Sequence, residues 1–331
     1  SPSGYENVKS YNGVDLFLYL PFDFPFVMRR FLSIIRPDAY IIAKYDIWPN
    51  AVWQAYRMQI PVFVVNASLP EKSRRIRGLS LYFNRQVYND LTEIWVSSFK
   101  DSDRFKKLSR NAEITVTGDT KFDQVLRRKA NIDRNKIISN QIIKNKRVFI
   151  AGSIWPEDWN VLIPVFDEVL NENPDLIVIL VPHEPTDHYI EEIEAKIGHQ
   201  GIRYSRVSNY SDERYIIVNR IGVLASLYSK ADFAYVGGSF KQNVHNVMEP
   251  AVFGIPVFYG PVHKNSFEAV ELNETGASIV VESETDFRRE LNRVLLSPES
   301  HEEISRLAQH YIANNAGATE RIVDKLKSYL S

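Results

Sequence analysis

Short β-rich runs bounded by turn residues alternate with segments of helical spacing from one end of this chain to the other, a pattern that predicts parallel sheets built from βαβ units. In the first half the predicted strands are "VDLFLYL" (Val14 to Leu20), "AYIIAKY" (Ala39 to Tyr45), "PVFVVNA" (Pro61 to Ala67), "EIWVSS" (Glu93 to Ser98) and "EITVTGD" (Glu113 to Asp119). Between the first two lies "FPFVMRRFLSIIRP", where Phe26, Arg30 and Ile34 fall at helical spacing, Val27, Phe31 and Ile35 form an apolar row beside them, and Pro37 stops the helix. A second helix, "WPNAVWQAYRMQ", takes Pro49 in its first turn, with Asp46 as its expected cap.

The charged, apolar-poor stretch from Arg127 to Lys146 reads as a domain boundary. Beyond it the strands are Arg147 to Ser153, Asp175 to Pro182, Tyr215 to Asn219, Asp232 to Gly238, Pro256 to Gly260 and Ser278 to Ser283. From Glu284 to Ser331 the pattern is helical, with two or three helices and no strand. The expected architecture is therefore α/β, with two Rossmann-like domains, residues 1–140 and 141–331, whose strand C-terminal ends face a shared cleft where ligands bind.

Composition narrows the class. The chain has 331 residues, 44% of them hydrophobic, enough for a large core. Forty basic residues against forty-one acidic ones create no overall field for nucleic acid, which is not an expected partner. The absence of cysteine excludes disulfides and thiolate metal sites. No apolar run approaches the roughly 20 residues that span a bilayer, so the chain itself is expected to be soluble.

The candidate chemistry sits at strand ends. "AGSIWPED", "VPHEP", "NRIG" and "VGGSF" bring Ser153, Pro182, His183, Gly222, Gly237, Gly238 and Ser239 to one rim. Glycines there let backbone amides approach a ligand, and a following helix N-terminus suits a phosphate; tight turns alone account for them equally well. Asn243, His245 and Asn246 precede the helix carrying Glu249 and Pro250, where they can cap it or bond a ligand. Glu249 can accept two hydrogen bonds from a ribose diol. His245 and Glu249, four apart, are too few for a metal site, and no metal is expected. Lys264 and Asn265 follow the next strand, where an ammonium suits a phosphate or carboxylate, or is merely solvated. In the first domain Asp46, Asn66, Ser68, Glu71 and Lys72 close strands at the opposite rim, and Asp119, Lys121 and Asp123 fall near the crossover.

These residues resemble one family. "WPN", "VNASLPEKS", "VTGDTKFD", "VGGSF" and "HNVMEPAVFGIPVFYGP" are similar to the 3-deoxy-D-manno-octulosonic acid (Kdo) transferases of lipopolysaccharide assembly, which have the two-Rossmann-domain GT-B fold. The resemblance implies CMP-Kdo bound by the second domain and a lipid A precursor by the first, at the cytoplasmic face of the bacterial inner membrane. It implies inverting transfer without a metal or other cofactor. It places Glu249 on the ribose, the Gly237 to Ser239 turn and Asn246 on the donor phosphate or sugar, and Ser153 and the Pro182 turn on the nucleotide. Asp46, Asn66, Ser68 and Lys121 become acceptor-side candidates. The family's general base is a glutamate in a first βα unit that follows a membrane anchor; both are expected upstream of "SPSGYE", leaving the first domain incomplete. His183 and Glu184 stand where the family commonly has arginine and histidine, and Val223 where a glutamate is frequent. Another GT-B enzyme acting on a UDP-sugar, by transfer or epimerisation, and an inactive nucleotide-sugar-binding fragment are the alternatives.

Overall fold

The computed structural model describes residues 13–132 and 138–330, so the opening residues and the middle of the charged stretch lie outside the described residues. Two compact units divide the chain, one formed by residues 1–120 with 317–331 and the other by 121–316.

The first unit holds a parallel sheet in the order β1 (Tyr40–Ala43), β2 (Val62–Ala67), β3 (Glu93–Val96), β4 (Glu113–Val116). The helices Pro25–Ile35, Pro49–Arg57, Gly78–Tyr88 and Phe99–Phe105 alternate with these strands, and the first two open on proline, whose missing N–H costs nothing in a first turn. Strand residues such as Val62, Phe63, Val64, Ile94 and Val96 are fully buried, the continuous apolar pattern of a parallel sheet covered on both faces.

Three expectations are corrected here. Val14 to Leu20 is not a strand: Val14, Leu16, Leu18 and Leu20 are all exposed, and no neighbouring strand among the described residues pairs with the segment. The helix Pro25–Ile35 buries Met28 and Leu32 and leaves Phe26, Ile34 and Ile35 in solvent, so the inward row differs from the predicted one. The cap of Pro49–Arg57 comes from Asp23, not Asp46: its two carboxylate oxygens accept from the amides of Asn50 at 3.0 Å and Ala51 at 2.9 Å.

The second unit carries a seven-stranded parallel sheet in the order β11-β10-β9-β5-β6-β8-β7. Its strands are β5 (Arg147–Ile154), β6 (Leu176–Pro182), β7 (Gly201–Arg203), β8 (Tyr215–Ile217), β9 (Phe233–Val236), β10 (Val257–Tyr259) and β11 (Ile279–Val280). β7 has no counterpart among the predicted strands; its three half-buried residues give too short an apolar signal. Phe149, Phe166 and Phe287 pack edge to face in the core, with ring centroids 4.9 and 5.5 Å apart for successive pairs.

The helix Thr120–Ala130 places Phe122 and Val125 in a cluster with Val247, Met248 and Tyr311, which assigns it to the second unit. The last helix, Ala318–Leu330, returns to the first, where Ile322 packs on Phe63 and Trp95. Side-chain packing thus moves the division from residue 140 to residue 120 and splits the three terminal helices, the other two being Glu284–Leu296 and Pro298–Asn315, between the units.

Candidate functional site

In the second unit β5 pairs with β6 on one side and β9 on the other, so the order of strands reverses between β5 and β9. Ligands of open α/β sheets bind outside the carboxyl ends of the strands at such a reversal. Ser153 and the Gly237 to Ser239 turn flank it.

The turn is shaped by close backbone packing. β5 slips register between Gly152 and Ile154, with Ser153 at φ 54°, and a Cβ on Gly237 would lie 2.2 Å from the Ser153 carbonyl oxygen. Gly238 has φ 82° and donates its amide to Asp158 Oδ2 at 2.8 Å. Asp158 also accepts from the Trp155 amide at 2.9 Å and the Tyr235 hydroxyl at 2.9 Å. Burial pushes the Asp158 carboxyl above its ordinary range, and these donors only partly offset it. Ser239 is wholly buried, its hydroxyl donating to Val236 O at 3.0 Å and accepting from the Gly260 amide at 2.7 Å. The glycines therefore serve close approach, and the serine side chain is committed to the fold.

Next to the turn three rings stack. His183 lies 4.8 Å from Trp155 and 4.3 Å from His245, nearly parallel to both. Trp155 Nε1 donates to His245 Nε2 at 3.1 Å, which requires a lone pair on that nitrogen and so a neutral His245 ring. Burial, then the neighbouring His183, hold its pKa below the usual imidazole value. His183 is exposed at the end of β6, whose last residue, Pro182, is buried.

Glu249 lies on a single helical turn, Met248–Ala251, too short for a sizeable helix dipole. Asn246 Oδ1 accepts from the Met248 amide at 3.2 Å, and Asn246 Nδ2 donates to Glu249 Oε1 at 3.3 Å. The same oxygen takes Arg128 Nη1 at 2.8 Å. Burial raises the Glu249 carboxyl above the usual carboxylate range, with Arg128 and Asn246 pulling the other way. Oε2 has no hydrogen-bond partner among the described residues. Arg128 escaped sequence reasoning because its basic cluster looked like linker; the helical spacing of Phe122 and Val125 was the available signal.

A pocket of about 340 Å³ opens beside this turn, lined by Lys121, Gln124, His245, Asn246, Asn265 and Glu268 among others. Lys121 Nζ pairs with Glu268 Oε1 at 2.8 Å. Lys121, expected on the acceptor side, is thus part of the second unit's pocket. Asn265 donates to Val244 O at 3.1 Å, and Lys264 is exposed beside it. Gly222 is exposed at φ 81°, and Val223 beside it is fully buried, an apolar residue where a glutamate would have no room to stay hydrated. In the first unit Asn66, at φ 52°, donates to Thr120 Oγ1 at 2.6 Å and accepts from the Thr120 amide at 3.1 Å, Ser68 is half-buried and Asp46 exposed. Among the described residues no group of three or more His, Asp or Glu side chains is placed to hold a metal ion.

The chain shares its fold with a UDP-GlcNAc 2-epimerase from Neisseria meningitidis bound to UDP-GlcNAc, at 16% identity, a TM-score of 0.64 and coverage of 91% of this chain and 79% of that one. The fold is that of GT-B glycosyltransferase-like proteins with paired Rossmann-like domains. Residues 1–124 match the family described as 3-Deoxy-D-manno-octulosonic-acid transferase (kdotransferase). An enzyme of that name from Haemophilus influenzae is 28% identical across 100% of this chain and 79% of its own length, and one from Chlamydophila psittaci is 27% identical across 99% and 76%. The chain is thus similar to enzymes named as Kdo transferases over nearly its whole length.

Proposed function

We propose that this chain moves Kdo from CMP-Kdo to a hydroxyl of a lipid A precursor in lipopolysaccharide assembly. The observation that carries the reading is Glu249: a largely buried carboxylate beside the strand reversal, with one oxygen held by Arg128 and Asn246 and the other uncommitted. That oxygen suits the ribose diol of the cytidine nucleotide. The exposed His183 and Lys264 supply positive charge or hydrogen bonds for the phosphate as it leaves.

In the reaction the acceptor oxygen attacks the anomeric carbon of Kdo from the face opposite the phosphate. The bond from that carbon to the phosphate oxygen breaks, CMP departs with the electron pair, and the configuration inverts. The hydroxyl proton passes to a general base, a role the family resemblance gives to a glutamate. Neither a metal nor another cofactor takes part in this scheme.

The acceptor is a lipid, and the first unit has features that suit a membrane surface. Leu16, Phe22 and Phe26 are exposed, at 65%, 84% and 73%, next to the exposed Arg29, Arg30 and Arg36. This supports a peripheral position at the cytoplasmic face of the inner membrane. No helix among the described residues is long and apolar enough to cross a membrane.

Incubation with CMP-Kdo and a tetraacylated lipid A precursor tests the proposal by mass spectrometry. The expected product is the precursor carrying added Kdo, with CMP released in equal amount. Consumption of a UDP-sugar instead, or binding of CMP-Kdo without transfer, overturns it.

A further inference from the structure

The ion pair between Arg128 and Glu249 joins two segments far apart in sequence. Arg128 sits near the end of the helix Thr120–Ala130, and Glu249 on the short turn after β9. The pair has a fixed geometry: Arg128 Nη1 lies 2.8 Å from Glu249 Oε1, which Asn246 Nδ2 also approaches at 3.3 Å. Only 19% of the Glu249 side chain is exposed, against 50% of Arg128. Lys129, the next residue along the helix, fastens the same contact by donating to Val252 O at 2.8 Å.

We infer that Arg128 is a positioning residue for nucleotide binding: by occupying Glu249 Oε1 it keeps the carboxylate ionised and turned so that Oε2 is left for the ribose diol. The inference rests on the reading that Glu249 binds the ribose. The physical need is plain. An isolated carboxylate buried to this degree takes up a proton, and a protonated carboxyl accepts one fewer hydrogen bond from a diol. Burial does raise the Glu249 carboxyl, and Arg128 is the first influence opposing it. The other charged or titratable groups around Glu249 do not replace it. Lys129 is committed to Val252 O and the Phe253 ring, Tyr228 is buried and its phenol pushed further up by Glu249, and His245, its pKa lowered by burial and then by His183, accepts the Trp155 indole N–H.

The test compares CMP with 2′,3′-dideoxy-CMP by calorimetry from pH 5 to pH 8. The ratio of the two affinities reports the diol contact, because the ionisation of the phosphate is common to both ligands and cancels. In the unaltered chain the ratio is expected to be about tenfold or more at pH 7.5. In Arg128→Gln the ratio falls, and the pH at which it collapses moves upward by about one to three pH units. Arg128→Lys, which restores a cation, returns the collapse toward its original pH, whereas a merely structural role for Arg128 moves both ligands equally at every pH. In Glu249→Gln the ratio no longer varies with pH, and adding Arg128→Gln changes it little.

The two levels fail separately. A ratio near one in the unaltered chain removes the ribose reading itself. A large ratio whose size and pH dependence survive in Arg128→Gln leaves that reading intact and overturns the role of Arg128.

Discussion

Gly237 and Ser153 approach so closely that a Cβ on the glycine would sit 2.2 Å from the serine carbonyl oxygen. The contact joins β9 to the irregular end of β5 at the strand reversal, and backbone cannot yield there as a flexible side chain would. Gly237→Ala is therefore expected to lower the stability of the second unit by about 3 kcal/mol, the upper end for overpacking. Gly222→Ala has open space around it but a left-handed backbone, and should cost only about 1 to 2 kcal/mol. Urea unfolding of both variants checks the order; equal midpoints contradict it.

Glu93 fastens the last helix to the first unit. Its buried carboxylate accepts from Tyr329 Oη at 2.5 Å, Lys325 Nζ at 3.0 Å and the indole N–H of Trp95. Burial acts to raise its pKa, but the three donors together bring it below the ordinary 4.5. A carboxyl whose folded pKa is depressed adds stability above its unfolded pKa and loses it as pH falls through the folded value. Glu93→Gln should therefore cost about 1 to 3 kcal/mol at pH 7 and progressively less below pH 4.5. Hydrogen exchange in Ala318–Leu330 reads this directly; a cost that does not shrink in acid contradicts the assignment.

The stacked rings predict a titration. His245 is held neutral first by burial and then by its neighbour His183. His183→Gln should raise the His245 pKa, and Trp155→Phe should raise it too, because the indole N–H bonds only the neutral ring. Imidazole resonances followed by NMR across pH 4 to 8 report both changes. An unmoved His245 resonance in both variants contradicts the stack.

What the sequence disclosed, and what it did not, has a physical pattern. Runs such as "RVFIAGS" and "DLIVILVP" were legible as strands because both faces are buried and their central positions, Val148 to Ala151 and Leu176 to Val181, are all apolar. "VDLFLYL" has a similar apolar run, but a strand also needs a neighbour, and pairing is not local information. Asp23 outcompeted Asp46 as a cap through a contact spanning 27 residues, beyond the reach of any local motif. Glu249 and the glycine turn were visible as a motif. The partners that decide their chemistry, Arg128 and Asp158, lie 121 and 80 residues away from Glu249 and Gly238.

Among the measurements open, calorimetric titration with CMP and UMP, repeated on Glu249→Ala, tests the central claim most directly. The account predicts tighter binding of CMP than of UMP, and at least a tenfold loss of CMP affinity in the variant, about 1.4 kcal/mol or more. UMP binding equal to or tighter than CMP, or CMP binding untouched by the substitution, would contradict a cytidine-linked donor held at Glu249.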